Sequence, residues 1–260
     1  MSDQDNTQKG VYRDHRGRRL KVLDENHRFR FECDQCGRCC RGSTIPLNPY
    51  DILKMSDYYG ITAQEFLEEF TLWSAASQSG IPVVLLKTEP RCPFNHQNLC
   101  NVYEVRPFFC RSYPVIRIVV YNTSTSKVTV KYSLEKNCST VKTKKTHTIR
   151  EWLTEQCGET YLQKSLRWGE FKVRLAGTEY PKDDKVFHRL FYNFMYALGP
   201  PEDEMKAMGI SESDSPEGKF EARIKFASSL DWSRATEKAK TDGALFYIKH
   251  IQDLNRRLVE

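Results

Sequence analysis

The chain has no long apolar run. Its longest apolar stretches, such as residues 114–121, are short and interrupted by Arg117, well below the roughly 20 apolar residues of a membrane-spanning helix. The first residues, MSDQDNTQKG, hold no apolar h-region of the kind that directs export. There is no internal repeat, and no glycine-rich strand–loop–helix signature for a nucleotide or adenosylmethionine. Charge of one sign is also lacking. With 40 Lys and Arg against 34 Asp and Glu, the formal charge is +6 and the pI near 8.8, which permits an acidic partner or nucleic acid without demanding one. These absences argue against a membrane protein and point to a cytoplasmic location in which thiols stay reduced. Nine cysteines, an odd number, also fit a fully paired disulfide framework poorly.

What is present is a cysteine cluster. Cys33-Asp-Gln-Cys36-Gly-Arg-Cys39-Cys40 places four thiols within eight residues. Thiolates crowded on so short a backbone repel one another and resist burial. In a reducing compartment the usual compensation is a metal ion or an iron–sulfur cluster. A second group follows: Cys92-Pro-Phe, Cys100-Asn-Val-Tyr, Arg106-Pro-Phe-Phe-Cys110-Arg-Ser-Tyr-Pro114, and Cys138. Arg38, Arg41, Arg91 and Arg111 sit beside or near cysteines, where cations lower thiol pKa and offset the charge of a thiolate site; as loop arginines they equally well only face solvent. Adjacent Cys39 and Cys40 are hard to place on one ion, because neighbouring side chains diverge.

The pattern predicts an α+β protein: a small irregular cysteine-rich metal-binding module over residues 20–147, after a flexible N-terminus at 1–19, and a mainly helical region at 148–260. Alternation at 20–23 and 28–31, around Asp24-Glu-Asn-His, suggests two short strands leading to Cys33. Asn48-Pro49 reads as an N-cap and first-turn proline for a helix over 50–59, stopped by Gly60. Thr62-Ala-Gln-Glu65 is a capping box for a helix through Phe70, and 82–87 reads as a buried strand. Residues 115–121 and 128–134 are rich in β-branched and aromatic side chains and predict an antiparallel hairpin, which would return Cys138 to the neighbourhood of Cys110.

Ile149, Trp152, Leu153, Gln156 and Cys157 share a helix face, with Cys157 read as a buried structural cysteine. An apolar stripe from Val186 to Leu198 reads as core, residues 200–219 as a loop, and 244–258 as a closing amphipathic helix.

The motifs Cys33-x-x-Cys-Gly-x-Cys-Cys40, Asn48-Pro-Tyr-Asp-Ile-Leu, Gly60-Ile-Thr-Ala-Gln-Glu-Phe, Cys92-Pro-Phe, Cys100-Asn-Val-Tyr and Arg106-Pro-Phe-Phe-Cys-Arg-Ser-Tyr-Pro together resemble the YkgJ-type cysteine-cluster family. That family is described as zinc- or iron-chelating, and a related module occurs in flagellin lysine N-methylase. The resemblance runs from about residue 30 to 138. It implies that Cys33, Cys36, Cys39, Cys40, Cys92, Cys100, Cys110 and Cys138 form the metal-binding set; it implies no single activity. Where the family has an aliphatic and acidic stretch after the Cys92 motif, this chain has Asn95-His96-Gln97-Asn98, so His96 is either an extra ligand or a surface residue.

Spacing leaves two cofactors open. Cys-x2-Cys-x2-Cys with a distant fourth cysteine is the pattern of a 4Fe-4S cluster, whereas zinc takes closed four-ligand sites that either group could supply. Three functions follow. The first is an iron–sulfur oxidoreductase or, by analogy with the methylase, a protein-lysine-modifying enzyme acting on a protein or small-molecule substrate. The second is a zinc-stapled interaction module, with Lys142-Thr-Lys-Lys145-Thr-His147 contacting nucleic acid or an acidic protein. The third is a metal carrier in which Cys39 and Cys40 form a labile site. Tyr113, His96, Arg106 and Arg111 are the polar neighbours of the cysteines, and no catalytic residue stands out.

Overall fold

The computed structural model describes residues 12–13, 19–33, 36–76, 79–135, 143–197 and 214–241. Cys138 and the pattern at 244–258 lie outside these described residues. Short strands in small sheets carry the first part of the chain and helices the rest, so the protein is α+β as its sequence predicts.

β1 (Tyr12–Arg13) pairs antiparallel with β2 (Arg19–Leu20). The alternating segments at 20–23 and 28–31 do not pair with each other. β3 (Arg28–Arg30) takes Thr146–Thr148 as its partner instead, and Leu23 bridges to Tyr132. Burial decides this. Phe29 and Phe31 pack edge-on against Trp152, with ring centroids 6.1 and 5.2 Å away, and a local hairpin would forfeit that contact.

β4 (Pro46–Leu47) leads into α1 (Pro49–Tyr59), which opens on a reciprocal capping box between Asn48 and Asp51 and closes at left-handed Gly60 (φ 62°). The predicted capping box, Thr62 with Glu65, starts α2 (Ala63–Phe70). β5 (Thr71–Ala75) and β4 flank β6 (Pro82–Leu86) in an antiparallel three-stranded sheet that buries Val84 and Leu86. β7 (Asn95–His96) and β8 (Leu99–Cys100) form a miniature hairpin; Gln97 and Asn98 turn it at φ 50° and 69°, a conformation Asn tolerates better than most residues.

α3 (Phe108–Ser112) carries Cys110. The predicted hairpin follows as β9 (Val115–Asn122) and β10 (Lys127–Leu134), paired from Lys127↔Asn122 to Leu134↔Val115. The ladder ends there because residues 108–112 are helical, so Cys110 is not a strand position.

After β11 (Thr146–Thr148), Thr148 and Glu151 cap α4 (Ile149–Ala176), which packs on α3 and on the β9–β10 hairpin. Gly158, at φ 67° and ψ 165°, breaks α4 just beyond Cys157.

α5 (Lys185–Tyr192) runs into a π-helical turn, Asn193–Ala197, and buries the predicted stripe through Phe187, Phe191, Phe194 and Met195. Of the loop expected at 200–219, residues 200–213 lie outside the described residues, and 216–219 are helical instead. Ser215 accepts a hydrogen bond from Gly218 N, and proline in the first turn starts α6 (Pro216–Ser229), whose Phe220 and Ile224 are buried. α7 (Trp232–Thr241) packs on α5. No helix among the described residues is long and apolar enough to cross a membrane.

Candidate metal centre

The cysteine-rich segments meet at the edge of the core. After exposed Cys33, left-handed Gly37 (φ 68°) reverses the chain into a short turn, Arg38–Cys40. Gly37 is buried against the β7–β8 hairpin, and a Cβ there would lie 2.7 Å from Asn98 Oδ1, so no larger residue fits without displacing that side chain. Cys92 N donates a 2.7 Å hydrogen bond to Cys40 O, and Asn95 N donates one of 3.0 Å to Cys92 O. Asn95 pairs with Cys100 across the hairpin. Cys92 and Cys100, eight residues apart in the sequence, are therefore brought to one place by a turn between them.

Burial divides the described thiols. Cys92 belongs to the core, and half-buried Cys40, Cys100 and Cys110 pack against it, whereas Cys33 and Cys39 are exposed. No disulfide joins the described cysteines.

Electrostatics couples these groups. The Cys39 thiol hydrogen-bonds to Cys40 and draws it down to about 6, helped by the Asn95 amide and the Arg91 guanidinium and opposed by burial. Cys39, exposed as a residue although its sulfur is partly shielded, is pushed far up by the same bond, by that shielding and by the charges of Cys40, Cys110 and Cys33. Burial pushes Cys92 up to about 11, with the charges of Cys40 and Cys100 adding to it. Cys100 is raised chiefly by burial, then by Cys40, against the pull of Arg106. Cys110 is raised most by burial, then by Cys92, Cys100 and Cys40 in that order. A bound cation would cancel this mutual repulsion and release the protons.

The surroundings hold the cysteines in place. Asp51, 1% exposed, accepts from Phe108 N at 2.9 Å and so docks α3 onto α1. Arg111 donates from Nε to Arg106 O (2.9 Å), from Nη1 to Gln156 O (3.4 Å), and from Nη2 to Glu104 O, with its guanidinium 4.0 Å over the Tyr161 ring. Arg106 donates to Tyr103 O (2.8 Å) and to Gln156 Oε1 (3.0 Å). The Asn95 amide faces the Cys40 sulfur, and its Nδ2 and Oδ1, both shielded from solvent, make no hydrogen bond of ordinary geometry among the described residues.

The donor set suits a thiophilic metal: reduced thiols, flanking cations and a buried amide with spare capacity. Among the described residues, however, no three Cys, His, Asp or Glu side chains converge closely enough to hold one ion. His96 is exposed on the hairpin. Tyr113 packs edge-on with Phe31 at 6.0 Å, and its carbonyl accepts from Trp152 Nε1. Cys157 is buried in α4, and no other cysteine is among the charges acting on it. Asn95, Asp51 and Gln156 support the cysteines but were not singled out from the sequence; the Asn48-Pro-Tyr-Asp51 capping box was the available signal for Asp51.

Comparison with known proteins agrees with this chemistry. No curated protein and no solved structure matches the chain. A family model, described as a putative zinc- or iron-chelating domain, matches residues 32–160, a span that includes every cysteine. That model is the CxxCxxCC family's, and the match covers just under half of the chain.

Proposed function

We propose that this metal-binding protein carries an iron–sulfur cluster of the 4Fe-4S type and uses it in redox or protein-modifying chemistry. The observation that carries this reading is the run Cys33-x2-Cys36-x2-Cys39, reversed at Gly37, which has the spacing of cluster ligands. The fourth thiolate comes from the remaining set: Cys40, Cys92, Cys100, Cys110 or Cys138. Cys138 lies outside the described residues, yet the chain is anchored on either side of it. Glu135 N donates to Pro114 O at 2.8 Å, and Thr143 Oγ1 donates to Glu32, beside Cys33, at 2.9 Å. When bound, a cluster of this type supplies one-electron chemistry. The chain's part is to ligate it, with Arg91 and Arg106 offsetting its negative charge. The substrate class, a protein lysine by analogy, rests on the family resemblance alone.

A second reading is a zinc-stapled scaffold in the cytoplasm that binds a protein or nucleic acid. It is favoured by the packing of Cys40, Cys92, Cys100 and Cys110 on the core, where metal binding would contribute folding energy.

Anaerobic purification with iron, acid-labile sulfide and zinc analysis and a visible spectrum decides between them. Stoichiometric iron and sulfide with absorbance near roughly 400 nm, typical of thiolate-ligated clusters, supports the first reading. Zinc without sulfide removes it and leaves the scaffold.

A further inference from the structure

We infer that the free edge of β9, on the side away from β10, is a docking site for an extended segment of another polypeptide. That segment joins the hairpin as a third strand, with uncharged side chains beside Ile116, Ile118 and Val120. The inference rests on the reading that this protein binds or acts on a polypeptide, and it names the surface that holds one.

Hydrogen-bond direction locates the edge. Leu23 N donates to Tyr132 O (2.8 Å) and Tyr132 N to Leu23 O (3.1 Å), so the backbone groups of Tyr132 point away from β9. Tyr132 lies opposite Arg117 in the ladder. In an antiparallel pair, opposed residues of this kind both turn N–H and C=O outward, and the direction alternates along each strand. Glu135 N, donating to Pro114 O at 2.8 Å, fits the same alternation. Arg117, Val119 and Tyr121 therefore aim their backbone groups off the free edge of β9, and among the described residues nothing bonds to them.

The two edges of the hairpin differ. β10 is guarded: Leu23 occupies it at Tyr132, and Lys127 and Lys131 stand exposed along it, a common device against unwanted strand pairing. β9 has no such guard. Its one charge, Arg117, turns inward, donating to Leu162 O (3.2 Å) and Ser165 Oγ with its guanidinium 4.4 Å over the Phe108 ring. The strand holds no proline and no bulge, and half-buried Ile116, Ile118 and Val120 line the face away from α4. A neutral, apolar edge of eight residues selects an extended, uncharged segment over a nucleic acid or a charged peptide.

Sterics argue against a second copy of this chain as the occupant. α4 lies over β9: besides the Arg117 bonds, a Cβ on Gly169 would stand 2.8 Å from Val119 Cγ2, and one on Gly177 3.3 Å from the Tyr121 ring. Pairing β9 with its own copy would set both α4 helices on one face, over strands about 4.8 Å apart. Packed helices need about 8–10 Å. A bare strand brings no helix to clash.

The test uses the full-length chain and a synthetic peptide of the β10 sequence, residues 127–134, carrying Lys127→Thr and Lys131→Thr. In the free chain, the amides of Arg117, Val119 and Tyr121 are expected to exchange with solvent faster than those of Ile116, Ile118 and Val120, which face β10. The peptide is expected to bind and to protect the three outer amides; a copy N-methylated throughout is not. Ile118→Lys puts a guarding charge on the outer face, and Val119→Pro removes one outward N–H without touching the ladder to β10. Each is expected to weaken binding by about tenfold or more, with the thermal midpoint of Ile118→Lys unchanged.

Slow exchange at the three outer amides in a monomeric chain, no peptide binding, or undiminished binding by both variants overturns the docking site. A dimer in sedimentation that Ile118→Lys dissociates assigns the edge to a second copy and overturns it as well. Iron, zinc and sulfide are measured on the same preparations. Their absence from the wild type is a failure of the metal reading, and it leaves the result at the β9 edge standing.

Discussion

Asp51 accepts a 2.9 Å hydrogen bond from Phe108 N through one carboxylate oxygen and a 2.9 Å bond from Asn48 N through the other. One buried side chain thus completes the cap of α1 and fixes the start of α3, two residues ahead of Cys110. Replacing Asp51 with alanine leaves two buried donors unpaired, and each such group costs about 1–3 kcal/mol. Asp51→Ala should therefore lower unfolding free energy by about 2–4 kcal/mol in urea titrations, with Asp51→Asn, which keeps one acceptor, losing less. An unchanged midpoint in Asp51→Ala would show that α3 is held by other contacts.

The same carboxyl sets a pH dependence. Burial, the largest influence, pushes Asp51 up to about 7 from an ordinary 3.8, against the two backbone donors and the Arg111 charge. Its folded pKa lies above its unfolded one, so the native state holds the proton more tightly. The resulting stabilisation is complete below about pH 4 and is lost as pH rises through about 7. The stability of wild type minus that of Asp51→Asn should fall over this window, by at most about 1.4 kcal/mol per pH unit. Taking the difference removes the cysteines' own titration. A difference that grew with pH would contradict the burial argument.

Arg111 ties the Cys110 turn to α4 through the Gln156 carbonyl and the face of Tyr161, and to the preceding segment through the Arg106 and Glu104 carbonyls. A planar fork of donors makes this possible, and an ammonium cannot reproduce it. Arg111→Ala should destabilise by about 2–4 kcal/mol, and Arg111→Lys should recover less than half of that despite keeping the charge. Full recovery by lysine, measured by chemical denaturation, would mean that charge rather than geometry matters at this position.

How legible this was in the sequence depended on the range of the forces involved. The capping boxes at Asn48 and Thr62 are local chemistry, and they marked α1 and α2 to within a residue. The β9–β10 hairpin announced itself through β-branched side chains on both arms. The partner of β3 did not, because it is chosen by the burial of Phe29 and Phe31 against Trp152, more than 100 residues on. The β7–β8 hairpin is not announced by the sequence, since two-residue strands carry no periodicity. Its Asn95-His-Gln-Asn98 turn was the clue, and it is this turn that sets Cys100 beside Asn95. The cysteines themselves were evident at once. Which of them lie together was not, because Cys40 and Cys92 meet through a backbone bond that spacing cannot reveal.

Gly158 breaks α4 in a backbone region that only glycine occupies readily, at φ 67° and ψ 165°. A Cβ there would meet nothing within 4 Å, so the cost of a side chain is conformational rather than steric. The break lies next to Cys157 and Gln156, whose carbonyl and side chain receive Arg111 and Arg106. Gly158→Ala should destabilise the protein by about 1–3 kcal/mol, seen as an earlier urea midpoint. A stabilised variant would imply that α4 can run straight through this position without loss.

Cys157 is the cysteine to set apart from the proposed metal set. It is 4% exposed, and burial pushes its thiol up to about 12. The charges acting on it are those of Arg111, Arg117, Arg106 and Asp51, and no other cysteine is among them. A thiol so placed behaves as a small apolar side chain. Cys157→Ser introduces a hydroxyl into that apolar site, and an inadequately bonded hydroxyl costs about 1–3 kcal/mol in proteins. The variant should therefore melt earlier while retaining the wild-type metal and sulfide content per chain. Both quantities come from one anaerobic preparation, so the two effects are read independently. Loss of metal with an unchanged midpoint would place Cys157 among the ligands, and the site would then reach into α4.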